Sequence, residues 1–158
     1  MVQILPNQGI RVADFSPEEI ESLYLARNHL EQLPVKLACN RISSQEIKTL
    51  MDINQNLIKA ASRSDYAGMV EENFRFHRTL SAISKNQFLT QAIEALRSRC
   101  FPSSYYFWRI KRNVRISIIE HNKIIKALEK HDFPQLLSIT EKHLHNSKNV
   151  YLRYLSET

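Results

Sequence analysis

The sequence is poor in the residues that build turns, since its 158 residues include only two glycines and five prolines. A fold of many short strands needs such turn residues at regular intervals, so their scarcity argues against most all-β architectures. Long stretches rich in Leu, Ile, Lys, Glu and Ser favour helices instead. A chain of this length buries one core. The composition therefore predicts a single all-α domain.

Cysteine is equally scarce, and Cys39 and Cys100 form neither a CxxC pair nor the dense, even set of a secreted disulfide framework. Isolated thiols of this kind are typical of a reducing compartment. The first residues lack the basic start and apolar run of a signal peptide, and no apolar stretch approaches the roughly 18 residues of a membrane span. We expect a cytoplasmic protein with no membrane partner.

Acidic residues are outnumbered: the chain has 16 Asp and Glu and 22 Lys and Arg, which gives a formal net charge of +6. Clustered cations are typical of nucleic-acid binding, where they release counterions from phosphates. The densest basic run, RIKRNVR at 109–115, is interrupted by apolar residues at helical spacing, and acidic residues are interspersed elsewhere. A solvated helix face is the preferred interpretation, with non-specific nucleic-acid binding as an alternative.

Capping signals divide the chain into about six helices. Five side chains of the types that cap helix N-termini precede apolar stripes of helical period: Ser16, Ser43, Asp65, Asn86 and Asp132. The two serines are each followed three residues later by a glutamate, which completes a capping box. The fifth helix has no such signal, and we expect it from about residue 103 to residue 130, after Pro102.

The first dozen residues differ from the helical remainder. Val2–Leu5 and Ile10–Val12 have the pattern of two short extended pieces around a Pro-Asn-Gln-Gly turn. Together they predict a lone β-hairpin, which is marginally stable by itself in water. We interpret it as the tail of a domain that is missing from this chain.

Three of the six histidines share helix faces with aliphatic residues and should point to the core: His77, His121 and His143. An unpaired buried polar group costs about 1–3 kcal/mol, and a shared metal would satisfy all three rings. Asn73, one turn before His77, adds a carbonyl oxygen. The alternative is that each ring bonds a separate core neighbour. The other histidines are interpreted as structural or solvent-facing: His29, His131 and His145.

Arg27 lies on the apolar stripe of the first helix, where a guanidinium group needs a partner. Glu31, one turn further on, is the partner that the same helix face offers. A metal and an inward arginine suit a small carboxylate, which would ligate the metal at one end and receive a bidentate hydrogen bond from Arg27. A purely structural Arg27–Glu31 pair is the alternative.

Five segments resemble the effector-binding C-terminal domain, called FCD, of FadR-type regulators in the GntR family. They are LYLARNHLE (23–31), NFRFH (73–77), SKNQFL (84–89), EHNKIIKALEKHD (120–132) and EKHLHN (141–146). NFRFH stands in place of the family's Asp-x-x-Phe-His, and SKNQFL is similar to its Ser-x-Asn-x-x-Leu. On this resemblance, residues 14–158 are the FCD domain and residues 1–13 are the remnant of a winged-helix wing and linker.

The resemblance implies an antiparallel bundle with a central metal and ligand cavity. The family's aspartate and three histidines, which hold a divalent metal, correspond to Asn73, His77, His121 and His143. Zinc or nickel is the expected ion, bound more weakly because the asparagine is neutral. The residues assigned to the effector, a small organic acid, are Arg27 and Asn86.

The expected function is therefore that of a ligand-sensing, homodimerising regulatory domain with no enzymatic activity. Operator DNA would be bound only through the absent winged helix-turn-helix. A metal-dependent hydrolase is the alternative, because a three-histidine site with an open position can activate water. Glu120 is the nearest acid to His121 in sequence, but it projects about 100° away around the helix and is poorly placed as a base.

Overall fold

A computed structural model describes residues 2–5, 9–12, 15–100 and 106–157 of the chain. A two-stranded hairpin precedes six helices: β1 (Val2–Leu5), β2 (Gly9–Val12), α1 (Pro17–Arg41), α2 (Ser44–Ser62), α3 (Tyr66–Ala82), α4 (Gln87–Ser98), α5 (Lys111–Glu129) and α6 (Phe133–Glu157). The long helices pack in pairs, with α1 on α6, α2 on α3, and α5 against both α2 and α6. The predicted all-α bundle is confirmed.

The predicted hairpin is also present. The strands pair antiparallel, with Val2 opposite Val12 and Leu5 opposite Gly9. The second strand is one residue longer than expected, while the turn predicted between the strands lies outside the described residues. That this hairpin belongs to a neighbouring domain stays a prediction.

The predicted capping boxes form at α1 and α2. Ser16 Oγ accepts from the Glu19 backbone N–H at 3.2 Å, and the Ser16 N–H donates back to the Glu19 carboxylate at 2.8 Å. Ser43 and Glu46 repeat these bonds at the start of α2. The side chains that cap α3, α4 and α6 also accept backbone bonds as predicted: Asp65, Asn86 and Asp132.

The fifth helix begins later than the sequence suggested. Residues 106–109 form a separate helical turn, a bend at Ile110 follows, and α5 starts at Lys111. Ile110 supplies no side-chain cap. The apolar pattern runs across the bend without a capping residue, so the sequence carried no signal for the true start. The first three residues predicted for this helix, 103–105, lie outside the described residues.

Three apolar clusters surround the middle of the bundle. The largest joins α1, α2, α3, α5 and α6 through buried residues that include Leu50, Phe76 and Leu128. A second joins the start of α1 to α6, and a third joins α2 and α3 to Trp108. Among the described helices, none has the length and hydropathy needed to cross a membrane.

Two adjacent residues of α2 test the assignment of the core. Leu50 is 0% exposed and Met51 is 49% exposed. Replacing Leu50 with alanine should lower the free energy of unfolding by about 2–5 kcal/mol, because it removes buried methyl groups and leaves a cavity. Met51→Ala should change it by less than about 0.5 kcal/mol. Urea denaturation followed by circular dichroism measures both, and equal effects would contradict the assignment.

Candidate metal centre and anion cavity

Three buried imidazoles from three helices meet at one point in the bundle. His77 on α3, His121 on α5 and His143 on α6 are at most 8% exposed. One ring nitrogen of each lies within 4.8 Å of the other two. His77 Nε2 is 3.3 Å from His121 Nε2 and 3.1 Å from His143 Nε2. The rings thus converge as the helix faces of the sequence indicate.

Neighbouring groups fix the orientation of two of these rings. His143 Nδ1–H donates to Glu120 Oε2 at 2.8 Å, and His121 Nδ1–H donates to the side-chain oxygen of Asn54 at 3.2 Å. A carboxylate and a carbonyl oxygen only accept, so each neutral ring carries its proton on Nδ1. The Nε2 atoms of His121 and His143 therefore both face His77.

Hydrogen bonds among the three rings leave this centre incompletely satisfied. His77 Nε2 carries at most one proton when neutral, and it can give that proton in good geometry to only one of the two lone pairs. Burial, followed by the charges of Arg97 and the other rings, lowers the pKa of His77 well below its ordinary value. Burial likewise lowers the pKa of His121. Neutral imidazoles with converging lone pairs are the donors that divalent transition metals take.

Glu120 and Asn54 bond the histidines of this centre but were not among the predicted site residues; the sequence had suggested only that Glu120 is poorly placed as a base. Both are buried. The second oxygen of Glu120 accepts from Asn146 Nδ2 at 2.7 Å, and Asn54 Nδ2 donates to Asn122 Oδ1 at 2.9 Å. The available signal was their position, because each is a polar residue on the buried stripe of its helix. Glu120 orients His143, and both of its oxygens are engaged.

Asn73 lies one turn before His77 on α3. Its side-chain oxygen is buried and accepts no hydrogen bond from any part of the chain that the structure describes. Leaving such an oxygen unpaired costs about 1–3 kcal/mol. The position therefore suits a cation or a donor from a bound molecule.

A cavity of about 60 Å³ borders the centre through His143. This volume accommodates a few water molecules or one small ligand. Its polar lining comes from six side chains: Arg27, Asn73, Arg97, Ser117, His143 and Ser147. Its apolar walls include Val70, Phe74, Trp108 and Val150. Apolar walls with a few converging polar groups are the lining that ligand sites usually have.

Two buried arginines in this cavity share one carboxylate. Arg27 donates to Glu31 Oε1 at 2.9 Å, and Arg97 Nη1 donates to Glu31 Oε2 at 3.1 Å. Burial raises the pKa of Glu31, but the charges of Arg27 and then Arg97 outweigh it, and the pKa falls below its ordinary value. Glu31 is thus ionised, and the three side chains together carry one excess positive charge.

The structural Arg27–Glu31 pair that the sequence left open is therefore present, and a second arginine accompanies it. Arg97 was not predicted. It lies one helical turn after Ile93, the buried residue of α4. This spacing was the signal available in the sequence. Because buried charges are ordinarily paired, the excess positive charge favours an anion in the cavity.

Asn86 occupies a different place from that expected of an effector residue. Its side-chain oxygen accepts from the Leu89 backbone N–H at 3.1 Å, capping α4. It is not among the described residues that line the cavity. The observed role of Asn86 is capping, and its assignment to the effector stays a prediction without a contact to support it.

The remaining histidines lie at the surface. His145 is exposed, as predicted. His131 is also exposed, with its Nδ1 2.6 Å from the Cys39 carbonyl oxygen. His29 is more exposed than expected, and its Nδ1 lies 2.8 Å from the Leu25 carbonyl oxygen. None of these three belongs to the buried group of possible metal ligands found among the described residues.

Known proteins similar to this chain are transcriptional regulators. It is 29% identical over 108 residues to the Nta operon transcriptional regulator of Aminobacter aminovorans, covering 67% of this chain and 50% of that protein. It is 22% identical over 133 residues to the HTH-type transcriptional regulator McbR of Escherichia coli K12, covering 83% and 60%. The chain thus spans about half the length of the curated relatives that it matches.

Solved structures share the fold. E. coli McbR superposes with a TM-score of 0.85 at 18% identity, covering 97% of this chain and 77% of that one. The metal-free FCD domain of the regulator TM0439 gives a TM-score of 0.75 at 16% identity, covering 92% and 100%. The sequence profile of the FCD domain matches residues 22–146. This chain belongs to the FCD domain family of GntR-type transcriptional regulators.

Proposed function

We propose that the chain is the ligand-sensing and dimerising domain of its regulator. In this proposal His77, His121 and His143 hold a divalent metal together with Asn73, and Arg27 binds the carboxylate of a small organic acid. The observation that carries the proposal is the meeting of three Nε2 atoms, in two of whose rings the other nitrogen bonds a side-chain oxygen.

The donor set suits zinc or nickel, since neutral imidazole is a common ligand for both. Glu120 and Asn54 would keep His143 and His121 oriented, as outer hydrogen-bond partners of metal-bound histidines commonly do. The metal, when bound, supplies a Lewis acid to which a carboxylate oxygen can coordinate. Asn73 brings no negative charge, so we expect weaker metal affinity and a stronger pull on an anionic ligand.

The two arginines would receive the effector. Arg27 and Arg97 both bond the carboxylate of Glu31, and they line a cavity that His143 also lines. Guanidinium groups bind carboxylates with two parallel hydrogen bonds, and the bond strengthens when water is excluded. An acid in this cavity would thus touch both the arginines and the imidazole centre.

Effector binding would then act on the rest of the regulator. The site joins side chains from α1, α3, α4, α5 and α6, so an acid that binds one packing of these helices better than another shifts their equilibrium. We propose that a winged helix-turn-helix next to the hairpin reads this shift at operator DNA in the cytoplasm. A hydrolase is less favoured, because Glu120, the buried acid at the centre, already bonds His143 and Asn146.

Two histidines of α6 provide a matched test of the metal site. His143 is buried at the centre, and His145 is exposed two residues later. His143→Ala should lower zinc and nickel affinity by at least about 100-fold, while His145→Ala should leave it unchanged. Isothermal titration and metal analysis after dialysis measure the effect. Equal metal content in the two alanine variants would contradict the site.

The same measurements test Asn73. The variant Asn73→Asp should bind the metal more tightly than the wild type, since a carboxylate neutralises the ion.

A conservative change tests the carboxylate site. Arg27→Lys keeps the positive charge beside Glu31 but loses the planar fork, so affinity for small carboxylates should fall by about 10-fold or more. Arg78→Lys is the control, since Arg78 is exposed and pairs with Glu94. Thermal shift with a panel of mono- and dicarboxylates reports binding by mass action. If both variants respond to the acids as the wild type does, Arg27 is not the effector residue.

Homodimerisation is supported by hydrophobic side chains left at the surface. Phe88 on α4 is 75% exposed, and Leu25 and Leu33 on α1 are also exposed. A second copy of the chain that covered these side chains would remove their apolar area from water. We expect the purified chain to sediment with twice its monomer mass at micromolar concentration. A monomer at all concentrations in analytical ultracentrifugation would exclude the dimer.

A further inference from the structure

A groove of about 490 Å³ lies open to solvent between α2 and α5. Met69 and Trp108, which are 2% and 3% exposed, contribute to its lining, whereas Ile119 at its edge is 41% exposed. Its apolar lining includes six side chains: Ile58, Met69, Trp108, Val114, Ile118 and Ile119. Of these six, Trp108 alone also lines the anion cavity. The α2–α5 groove is therefore a second recess, with apolar area left in water.

Three exposed cations of the basic run 109–115 line the same groove: Arg109, Lys111 and Arg115. None of them forms an ion pair within the part of the chain that the structure describes. The described residues that line the groove include no carboxylate. Along α5 the cations come first, and Ile118 and Ile119 follow on the next turn. The groove is thus positive at one end and apolar at the other.

The length of the groove suits a short helix. Its lining on α5 extends from Lys111 to Ile119, which is about 12 Å at the rise of an α-helix. The apolar stripe of an amphipathic helix, with anchors at i, i+3, i+4 and i+7, covers about 10 Å. Small-molecule sites enclose most of their ligand, whereas a helix in a groove needs cover on one face only. An open groove therefore favours a helix over a small molecule.

A second copy of the chain fits this surface poorly. In a two-fold contact the same patch meets itself, so the three cations of one copy would face those of the other. Like charges that face each other oppose association. The exposed residues that support the homodimer are on α1 and α4: Leu25, Leu33 and Phe88. The charge of the groove instead favours an occupant with carboxylates.

We propose that the α2–α5 groove binds an acidic amphipathic helix of a partner protein. The apolar anchors of that helix pack on Met69 and Trp108, and its carboxylates pair with the three cations. This surface goes beyond the proposed function, since it uses neither the metal nor the effector.

Stapled helical peptides of about 15 residues test the groove, because a staple removes the cost of folding on binding. The first peptide has leucine at i, i+3, i+4 and i+7 and glutamate on its other face. The second has lysine in place of every glutamate. The third keeps the acidic composition but distributes the leucines around the helix. The wild type should bind the first peptide about 10-fold tighter than either of the others.

Trp108 provides the readout. It is the single tryptophan of the chain and lines the groove, so its emission reports occupancy when the peptides contain no tryptophan. The titrations use buffer without metals or carboxylic acids, because Trp108 also lines the anion cavity. Calorimetry gives the same affinities independently.

Two pairs of variants locate the contact. Ile119→Ser should weaken binding of the first peptide about 10-fold, while Met51→Ser should not, since Met51 is exposed on α2 but is not among the described residues that line the groove. Arg115→Glu should weaken it about 10-fold, and Lys123→Glu by less than about 2-fold. Lys123 is exposed two turns beyond Arg115 on α5 and is likewise outside the described lining. All four side chains are exposed, so circular dichroism should show an unchanged fold.

Several results would overturn the proposal. One is equal binding of the acidic peptide and either of the other two, and another is no binding up to about 1 mM. A DNA duplex is titrated in parallel. If it binds more tightly than the first peptide, and Ile119→Ser leaves that binding unchanged, the cations serve a nucleic acid instead. If Ile119→Ser dissociates a homodimer in analytical ultracentrifugation, a second copy occupies the groove.

Discussion

The mutual approach of three imidazole nitrogens is the constraint on which the site depends. Nitrogens 3.1 and 3.3 Å apart repel unless a proton or a cation lies between them. The chain holds them there through bonds to Glu120 and Asn54 and through the Phe76 ring, which stacks on His121 at a centroid distance of 3.9 Å. The bundle therefore maintains an arrangement that the three rings would not adopt alone.

Electrostatics on the two sides of the cavity act in the same direction. Near the imidazole centre, the neutral amide of Asn73 lines the cavity and brings no negative charge. In the same cavity, Arg97 adds a second guanidinium to Arg27, and Glu31 bonds both of them. A small anion bound at the two arginines would offset their charge.

Much of the fold and part of the site could be predicted from the sequence. Helix starts were predictable because capping is a local interaction between residues three apart, as at Ser16 and Ser43. The inward faces of His77, His121 and His143 followed from helical periodicity. The start of α5 was missed because Ile110 makes no side-chain cap.

Other parts of the site depend on contacts between distant residues. Arg97 meets Glu31 across 66 positions, and His121 meets Asn54 across 67. Periodicity shows that a polar residue faces inward, but the identity of its partner depends on how the helices pack. Searching each buried stripe for every polar residue, and not for histidines alone, would have selected Glu120, Asn54 and Arg97 as candidates.

Glu31 has a consequence for how sensitively the domain can respond. Its carboxylate already occupies one face of both guanidinium groups, so it keeps Arg27 and Arg97 ordered before any ligand arrives. The same carboxylate competes with an incoming acid for those donors. In the proposed effector site, the net affinity for an acid would be the difference between its bonds to the arginines and those of Glu31, and this difference would set the acid concentration at which the domain responds.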